Sequence, residues 1–138
     1  MQKKPIQKNQ IIIGGSVDTL GRKNVRALQN AGYVLMYVSS GKEVREQCIH
    51  SADTVAVIID GDRDGFSPFC ELVDNYHNKS SSPLIILTSV FRLSAVALAL
   101  QEGFDEFLAK PIGKEELFSL IRKANKYSKN YKSLNSTL

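Results

Sequence analysis

The sequence contains three short and almost purely apolar runs, and these restrict the fold more than any other feature. They read III at 11–13, TVAVII at 54–59 and PLIIL at 83–87. A strand with one face in water alternates apolar and polar residues, whereas a strand buried on both faces is apolar throughout. The runs therefore predict central strands of a sheet that helices cover on both sides.

The segments between these runs predict the rest of such a sheet. YVLMYVSS at 33–40 and FDEFLA at 104–109 read as two further strands, and a helix-like segment follows each strand. In the first helix, Asp18 or Thr19 is the expected cap, and Gly21 costs about 1 kcal/mol relative to alanine. Five strands alternating with five helices predict an α/β fold with a doubly wound, five-stranded parallel sheet.

Length and charge distribution indicate one folded domain with polar ends. The chain has 138 residues and a net charge of +4, with three lysines in residues 1–8 and five basic residues in 122–138. We expect a basic tail at 1–8, a domain at 9–127 that includes the last helix, and a polar tail or linker at 128–138. The start lacks a signal-peptide pattern and the apolar runs are too short for a bilayer, so we expect a cytoplasmic protein without membrane contact.

Polar or small residues end the predicted strands. Gly15 and Ser16 follow the first strand, and Asp60, Thr88 and Lys110 end the third, fourth and fifth. In open parallel sheets the ligand site lies at the carboxyl ends of the strands. The sequence therefore predicts that an acid, a hydroxyl and an amine meet at one edge of the sheet.

Four pieces of sequence, in this order and spacing, resemble the receiver domains of the two-component response-regulator family. They are AGYVLMYVSSGKEV, TVAVIID, LIILTS and GFDEFLAKPIGKEEL, within a similarity that covers about residues 9–127. The last piece is the most specific, because a Lys-Pro after a short strand that begins near G-x-D-x-aromatic is a hallmark of the family. The resemblance implies the CheY-like, flavodoxin-like three-layer sandwich.

The resemblance also implies roles for individual residues. Asp60 is the candidate acceptor of a phosphoryl group from a histidine kinase in the presence of Mg²⁺, and Lys110 is the amine that pairs with the phosphate. Thr88 is the hydroxyl that turns toward the phosphate, and the small Ser89 beside it leaves access. Phe107 is the aromatic that changes rotamer with the hydroxyl. Pro111 is expected to follow a cis peptide bond.

The positions of the family's metal-binding acids hold Gly15 and Ser16 in this chain. Mg²⁺ requires oxygen ligands, commonly carboxylates, and neither residue supplies one. We therefore expect no cofactor, unless Asp18 or Asp62 compensates for the missing acids. The favoured interpretation of Asp62 is an exposed turn former. Asp60 then pairs with Lys110, which gives it a structural role.

An atypical receiver without enzymatic activity is the predicted function, acting by contact with a histidine kinase or another signalling protein. Normal Mg²⁺-dependent phosphorylation of Asp60 is expected to be impaired or absent. One alternative is a working phosphoacceptor with a rearranged cation site. A second is a small nucleotide- or DNA-associated module that uses Gly14, Gly15 and the basic ends, although no DNA-reading element is recognisable.

The segment VFRLSAVALALQEG at 90–103 is unusual for a helix on the outside of a sheet. It contains one charged residue between 91 and 100, where a polar outer face is the normal pattern. An exposed apolar patch marks an interaction surface. The pattern therefore predicts a homodimer or partner contact on the helix at 91–102, with four contact residues: Leu93, Val96, Ala97 and Leu100.

Overall fold

The computed structural model describes residues 9–50, 53–63, 83–91, 93–94, 96–97, 101 and 103–136. Five strands form one parallel sheet in the order β2-β1-β3-β4-β5. Their bounds are β1 Gln10–Gly14, β2 Val34–Val38, β3 Thr54–Asp60, β4 Leu84–Ser89 and β5 Glu106–Ala109. The predicted fold class is confirmed, since the apolar β1 and β3 lie inside the sheet and every residue of β3 is buried.

Within the described residues, four helices with continuous bounds accompany the sheet. They are α1 Val17–Leu20, α2 Arg22–Asn30, α3 Gly41–His50 and α4 Lys114–Ser136. The helix predicted between β3 and β4 lies outside the described residues. Between β4 and β5, residues 93–94, 96–97 and 101 are helical.

The core is divided by the sheet into two clusters, because successive residues of a strand point to opposite faces. Ile12 contributes to one cluster together with Val44 of α3. Ile11 and Ile13 contribute to the other, which contains residues of α1, α2 and α4. Helices therefore cover both faces, as the continuous apolar runs predicted.

The predicted first helix is two helices. Gly21 has φ +87° and ψ 148°, which ends α1 and precedes α2. A positive φ of this kind costs glycine little and other residues much more. The predicted cap was also wrong, because Ser16 is the N-cap of α1 and its hydroxyl accepts a hydrogen bond from the amide of Asp18.

The last helix is longer than predicted, since α4 continues to Ser136 and the expected end was residue 127. The segment 128–136 reads SKNYKSLNS and contains neither glycine nor proline, so no helix-breaking residue stops it. Within the described residues, no helix is both long and apolar enough to cross a membrane.

Candidate functional site

The carboxyl edge of the sheet brings Asp60, Thr88 and Lys110 together, as the sequence predicted. Asp60 and Thr88 are direct neighbours across β3 and β4. Lys110 follows β5, and its amide donates a hydrogen bond to the carbonyl of Ser89 at 3.0 Å. The Lys110–Pro111 peptide bond is cis, so that prediction is confirmed.

Asp60 is buried at the centre of this site, with 5% of its surface exposed. Its Oδ1 accepts hydrogen bonds from Lys110 Nζ at 2.8 Å and from the amide of Asp62 at 3.1 Å. Its Oδ2 accepts one from Thr19 Oγ1 at 2.7 Å. A buried carboxylate is tolerable only when donors replace its lost hydration, and these three supply that replacement.

Asp62 is an exposed residue of the turn after β3, as the favoured interpretation predicted, but its carboxylate is only 19% exposed and faces the site. Its Oδ2 lies 3.0 Å from Lys110 Nζ and accepts from the amide of Val90 at 3.0 Å. Its Oδ1 accepts from Ser89 Oγ at 2.5 Å. The turn after β3 explains this position, because the amide of Asp62 donates a hydrogen bond to Asp60 Oδ1. The carboxylate of Asp62 then lies along the edge of the sheet, beside Ser89 and Val90 at the end of β4. Asp64 lies outside the described residues.

Lys110 therefore lies between two carboxylates, those of Asp60 and Asp62. Burial opposes its charge, but the hydrogen bonds and charges of the two aspartates outweigh that effect and raise the pKa of Lys110. The pKa of Asp62 is lowered: partial burial acts in the opposite direction, and hydrogen bonds from Ser89, Lys110 and Val90 prevail. With all three groups charged, the site carries one net negative charge.

Gly15 and Ser16 provide no carboxylate, and a third residue uses the space beside them. A Cβ on Gly15 would lie 2.2 Å from Thr19 Oγ1 and 3.1 Å from Asp60 Cβ. The Thr19 hydroxyl also accepts a hydrogen bond from the amide of Ser16 at 3.0 Å, which completes a capping box at the start of α1. Thr19 thus fills the position where a side chain on Gly15 would lie.

Thr19 is the site residue that the sequence reasoning missed. It was considered only as a helix cap, although its hydroxyl is the donor to Asp60. A signal was present, because Ser16 and Thr19 have the spacing of a capping box, which turns the second side chain back toward the preceding strand. Asn24 was missed as well: its amide binds the carbonyls of Leu20 and Ile112, which joins α2 to the loop after Lys110.

The side chains of Thr88, Ser89 and Phe107 make their described contacts with groups other than Asp60. The fully buried Thr88 donates its hydroxyl to the carbonyl of Leu108 at 2.7 Å. Phe107 is half-buried and packs against the cluster that contains Ile12. Ser89 is engaged with Asp62 and with the amide of Phe91 at 3.0 Å, so its hydroxyl belongs to the Asp62 network.

The residues present do not fit a Mg²⁺ ion. Mg²⁺ needs near-octahedral oxygen ligands, and each carboxylate oxygen of Asp60 and Asp62 already accepts from an internal donor. An ion between them would have to displace Lys110. Asp18 does not compensate, since it is exposed on α1 and none of its described contacts reaches this network. The described residues contain no cluster of three or more potential metal ligands.

The backbone at the two glycines that end β1 is already engaged within the protein. The amide of Gly15 donates to the carbonyl of Val38 at 3.0 Å, and Thr19 fills the space above it. Gly14 is buried and paired with Val38 and Ile59 in neighbouring strands. The described contacts of Gly14 and Gly15 therefore give no support to a ligand bound by their backbone, and the basic residues 3–8 lie outside the described residues.

The predicted interface residues are only partly described. Leu93 is 88% exposed, Ala97 is exposed and Val96 is half-buried. Leu100 lies outside the described residues. Val90 and Phe91 precede them and are 57% and 65% exposed, so the exposed apolar surface begins where the Asp62 network ends.

Comparison with known proteins gives one sequence relative and several structural ones, while no protein-family model matches the chain. The transcriptional regulatory protein GltR of Pseudomonas aeruginosa is 28% identical over 97 residues, which cover 69% of this chain. The match spans 40% of the length of that protein.

Solved structures with the same fold include proteins described as response regulators or signal receivers. One from Chloroflexus aurantiacus has a TM-score of 0.68 and 24% identity, covering 87% of this chain and 99% of its own. A response regulator receiver protein from Burkholderia phymatum has a TM-score of 0.67 and 19% identity, with coverages of 86% and 96%. The receiver domain of a histidine kinase from Syntrophus aciditrophicus has a TM-score of 0.65 and 21% identity, with coverages of 86% and 90%. The fold class and the resemblance predicted from sequence are confirmed.

Proposed function

We propose that this chain, whose fold is that of a response-regulator receiver domain, acts in two-component signalling by protein–protein contact and without Mg²⁺-dependent phosphorylation of Asp60. The observation that carries the proposal is the position of Lys110, which is bonded to Asp60 and Asp62 at 2.8 and 3.0 Å. The proposed partner is a histidine kinase or another signalling protein of the cytoplasm.

Charge is the physical argument against metal-dependent phosphorylation. Transfer of a phosphoryl group depends on positioning and on cancelling the charge of its oxygens. Lys110 supplies one positive charge, and two carboxylates already share it. A phosphoryl donor would therefore approach a site with a net negative charge. Oδ1 of Asp60 already accepts two hydrogen bonds, and Oδ2 accepts one from Thr19, which lowers the electron density available for attack on phosphorus.

The test is incubation of the full chain with acetyl phosphate and Mg²⁺, followed by intact-mass measurement. We expect no mass gain of one phosphoryl group beyond that of an Asp60→Asn control treated in parallel. A receiver domain of known phosphorylation activity serves as the positive control for the donor. A phosphoryl gain that is absent from Asp60→Asn and depends on Mg²⁺ would contradict the proposal.

The second candidate is a working phosphoacceptor with a rearranged cation site, which the orientation of Asp62 toward Asp60 favours. The same mass assay separates the two functions. If the second candidate is correct, the phosphoryl gain depends on Asp62 as well as on Asp60, so Asp62→Asn would remove it.

Signalling by contact requires a surface, and we propose the apolar residues after β4 for this role. Phe91 and Leu93 are 65% and 88% exposed, which places two large apolar side chains in water. Such exposure is typical of interaction sites when the residues are contiguous. Self-association through this surface is the simplest form of the proposal, and sedimentation of the full chain measures it.

A further inference from the structure

We infer that the Lys110 ammonium group is a built-in substitute for the divalent cation of this site, and that its removal would create a metal site from Asp60 and Asp62. This goes beyond the proposed function, because it concerns what fills the cation position and not whether Asp60 is phosphorylated. The inference starts from the mismatch between the residues at the carboxyl edge and the requirements of Mg²⁺.

The distances around Lys110 support the inference that its ammonium group takes the place of a metal ion. Lys110 Nζ contacts Asp60 Oδ1 and Asp62 Oδ2 at 2.8 and 3.0 Å, so one cation joins two carboxylates from the same turn. An ammonium group has three donors, and these two acceptors engage two of them. Only 18% of the Lys110 side chain is exposed, compared with 7% and 19% for the two aspartates. The three charged side chains are therefore held together at the edge of the sheet, with Asp60 buried and Asp62 in the exposed turn.

The other neighbours of the two aspartates fix the carboxylates for this cation. Thr19 holds the second oxygen of Asp60, while Ser89 and the amide of Val90 hold Asp62. A divalent ion in contact with both carboxylates would lie next to the ammonium and be repelled by it. The tethered lysine also competes at the high effective concentration of an intramolecular group. Mg²⁺ at cellular concentrations should therefore leave this arrangement unchanged.

Without the Lys110 ammonium group, the two carboxylates should bind a divalent cation instead. Two carboxylates would remain side by side without a counter-charge, and a hard divalent cation with several waters is the ligand that such a pair accepts. The substitution Lys110→Met keeps a long unbranched side chain and removes the charge. Lys114→Met is the matched control, because Lys114 is an exposed residue at the start of α4 and its loss changes the net charge equally.

The probe is Mn²⁺, which accepts the same oxygen ligands as Mg²⁺ and whose free ion is counted by electron paramagnetic resonance. We expect no measurable Mn²⁺ binding to the wild type or to Lys114→Met. In Lys110→Met we expect an affinity higher by about tenfold or more, since the repulsion from an adjacent positive charge is gone. Adding Asp62→Asn to Lys110→Met should abolish the gain, because the second carboxylate is then absent.

Mg²⁺ should also stabilise only the lysine variant. At about ten times its dissociation constant, Mg²⁺ should raise the Tm of Lys110→Met by about 4 °C and leave the wild-type Tm unchanged. Circular dichroism shows whether each variant is folded. Lys110→Gln, which retains a hydrogen-bond donor, replaces Lys110→Met if the latter does not fold.

Two results would overturn the inference. The first is Mn²⁺ binding by the wild type that Asp62→Asn removes. This result would mean that the ion binds beside the Lys110 ammonium group or displaces it. The second is a folded lysine variant that binds no Mn²⁺. If neither lysine variant folds, the wild-type ammonium resonance of Lys110 decides: it should not shift when Mg²⁺ is added, and a shift overturns the inference. The Mn²⁺ and Tm experiments contain no phosphoryl donor, so their outcome does not depend on whether Asp60 is phosphorylated. The proposed function is tested by the intact-mass assay alone.

Discussion

The substitution Gly15→Ala tests whether Thr19 occupies the space that acidic side chains use in the family this chain resembles. The added Cβ would lie 2.2 Å from Thr19 Oγ1, a distance that no pair of non-bonded atoms tolerates. Gly15 is not among the glycines with a positive φ, so backbone strain does not contribute. Thr19 must rotate away, and its contacts with Asp60 and the amide of Ser16 are then lost.

The expected cost follows from those two contacts. A hydrogen bond to a buried carboxylate contributes about 1.5–3 kcal/mol, and a capping hydrogen bond contributes about 1 kcal/mol. Gly15→Ala should therefore lower the free energy of unfolding by about 2–4 kcal/mol. Thr19→Ala removes the same two contacts and should cost a similar amount. Because both substitutions break the same contacts, the double variant should be only slightly less stable than Thr19→Ala.

Urea unfolding of the four proteins measures this cycle, provided that the m-value stays constant. The matched control is Gly113→Ala, since a Cβ there meets only Glu116 Oε1 at 3.9 Å. Because Gly113 is the N-cap of α4, where alanine is less favourable than glycine, we expect the control to cost at most about 1 kcal/mol. Costs of Gly15→Ala and Thr19→Ala that add to within about 0.5 kcal/mol would refute the reasoning, because independent sites behave in that way.

Three further predictions concern Asp60, Asp62 and the exposed surface. Asp60→Asn should lower the free energy of unfolding by about 2 kcal/mol in urea unfolding, because a buried, ion-paired acceptor is lost; a more stable variant would mean that repulsion dominates at the site. The lowered pKa of Asp62 adds stability above its unfolded pKa that is lost as pH falls below about 4, and the raised pKa of Lys110 adds stability that is lost above about pH 10.4. Unfolding of Asp62→Asn between neutral and acidic pH should therefore depend less on pH than that of the wild type, and an equal dependence would contradict this assignment. Replacing Phe91 and Leu93 by serine should reduce self-association in sedimentation velocity without loss of folding, whereas a wild type that stays monomeric at high concentration argues against a dimer on this surface.

The sheet was predictable from sequence because its signal is local and strong. The run 55–59 is purely apolar and rich in β-branched residues, which is typical of a strand buried on both faces. The convergence of Asp60, Thr88 and Lys110 then followed from the rule that parallel strands place their carboxyl ends at one edge.

The details of the site were not predictable, because they depend on how short segments turn. Gly21 was read as a weak point within one helix, but its backbone angles separate two helices. Thr19 lies on the short helix before that break, and its hydroxyl donates to Asp60. The orientation of Asp62 likewise depends on a turn that its own amide forms with Asp60, and composition alone favours an exposed position for such a residue.

The most direct test of the central claim, that Lys110 supplies the cation at this site, is a crystal structure of the chain soaked in Mg²⁺. We predict that Lys110 Nζ stays within hydrogen-bonding distance of Asp60 Oδ1 and Asp62 Oδ2, with no metal density between them. A well-ordered octahedral ion bound to Asp60, with Lys110 displaced from the two aspartates, would contradict the claim.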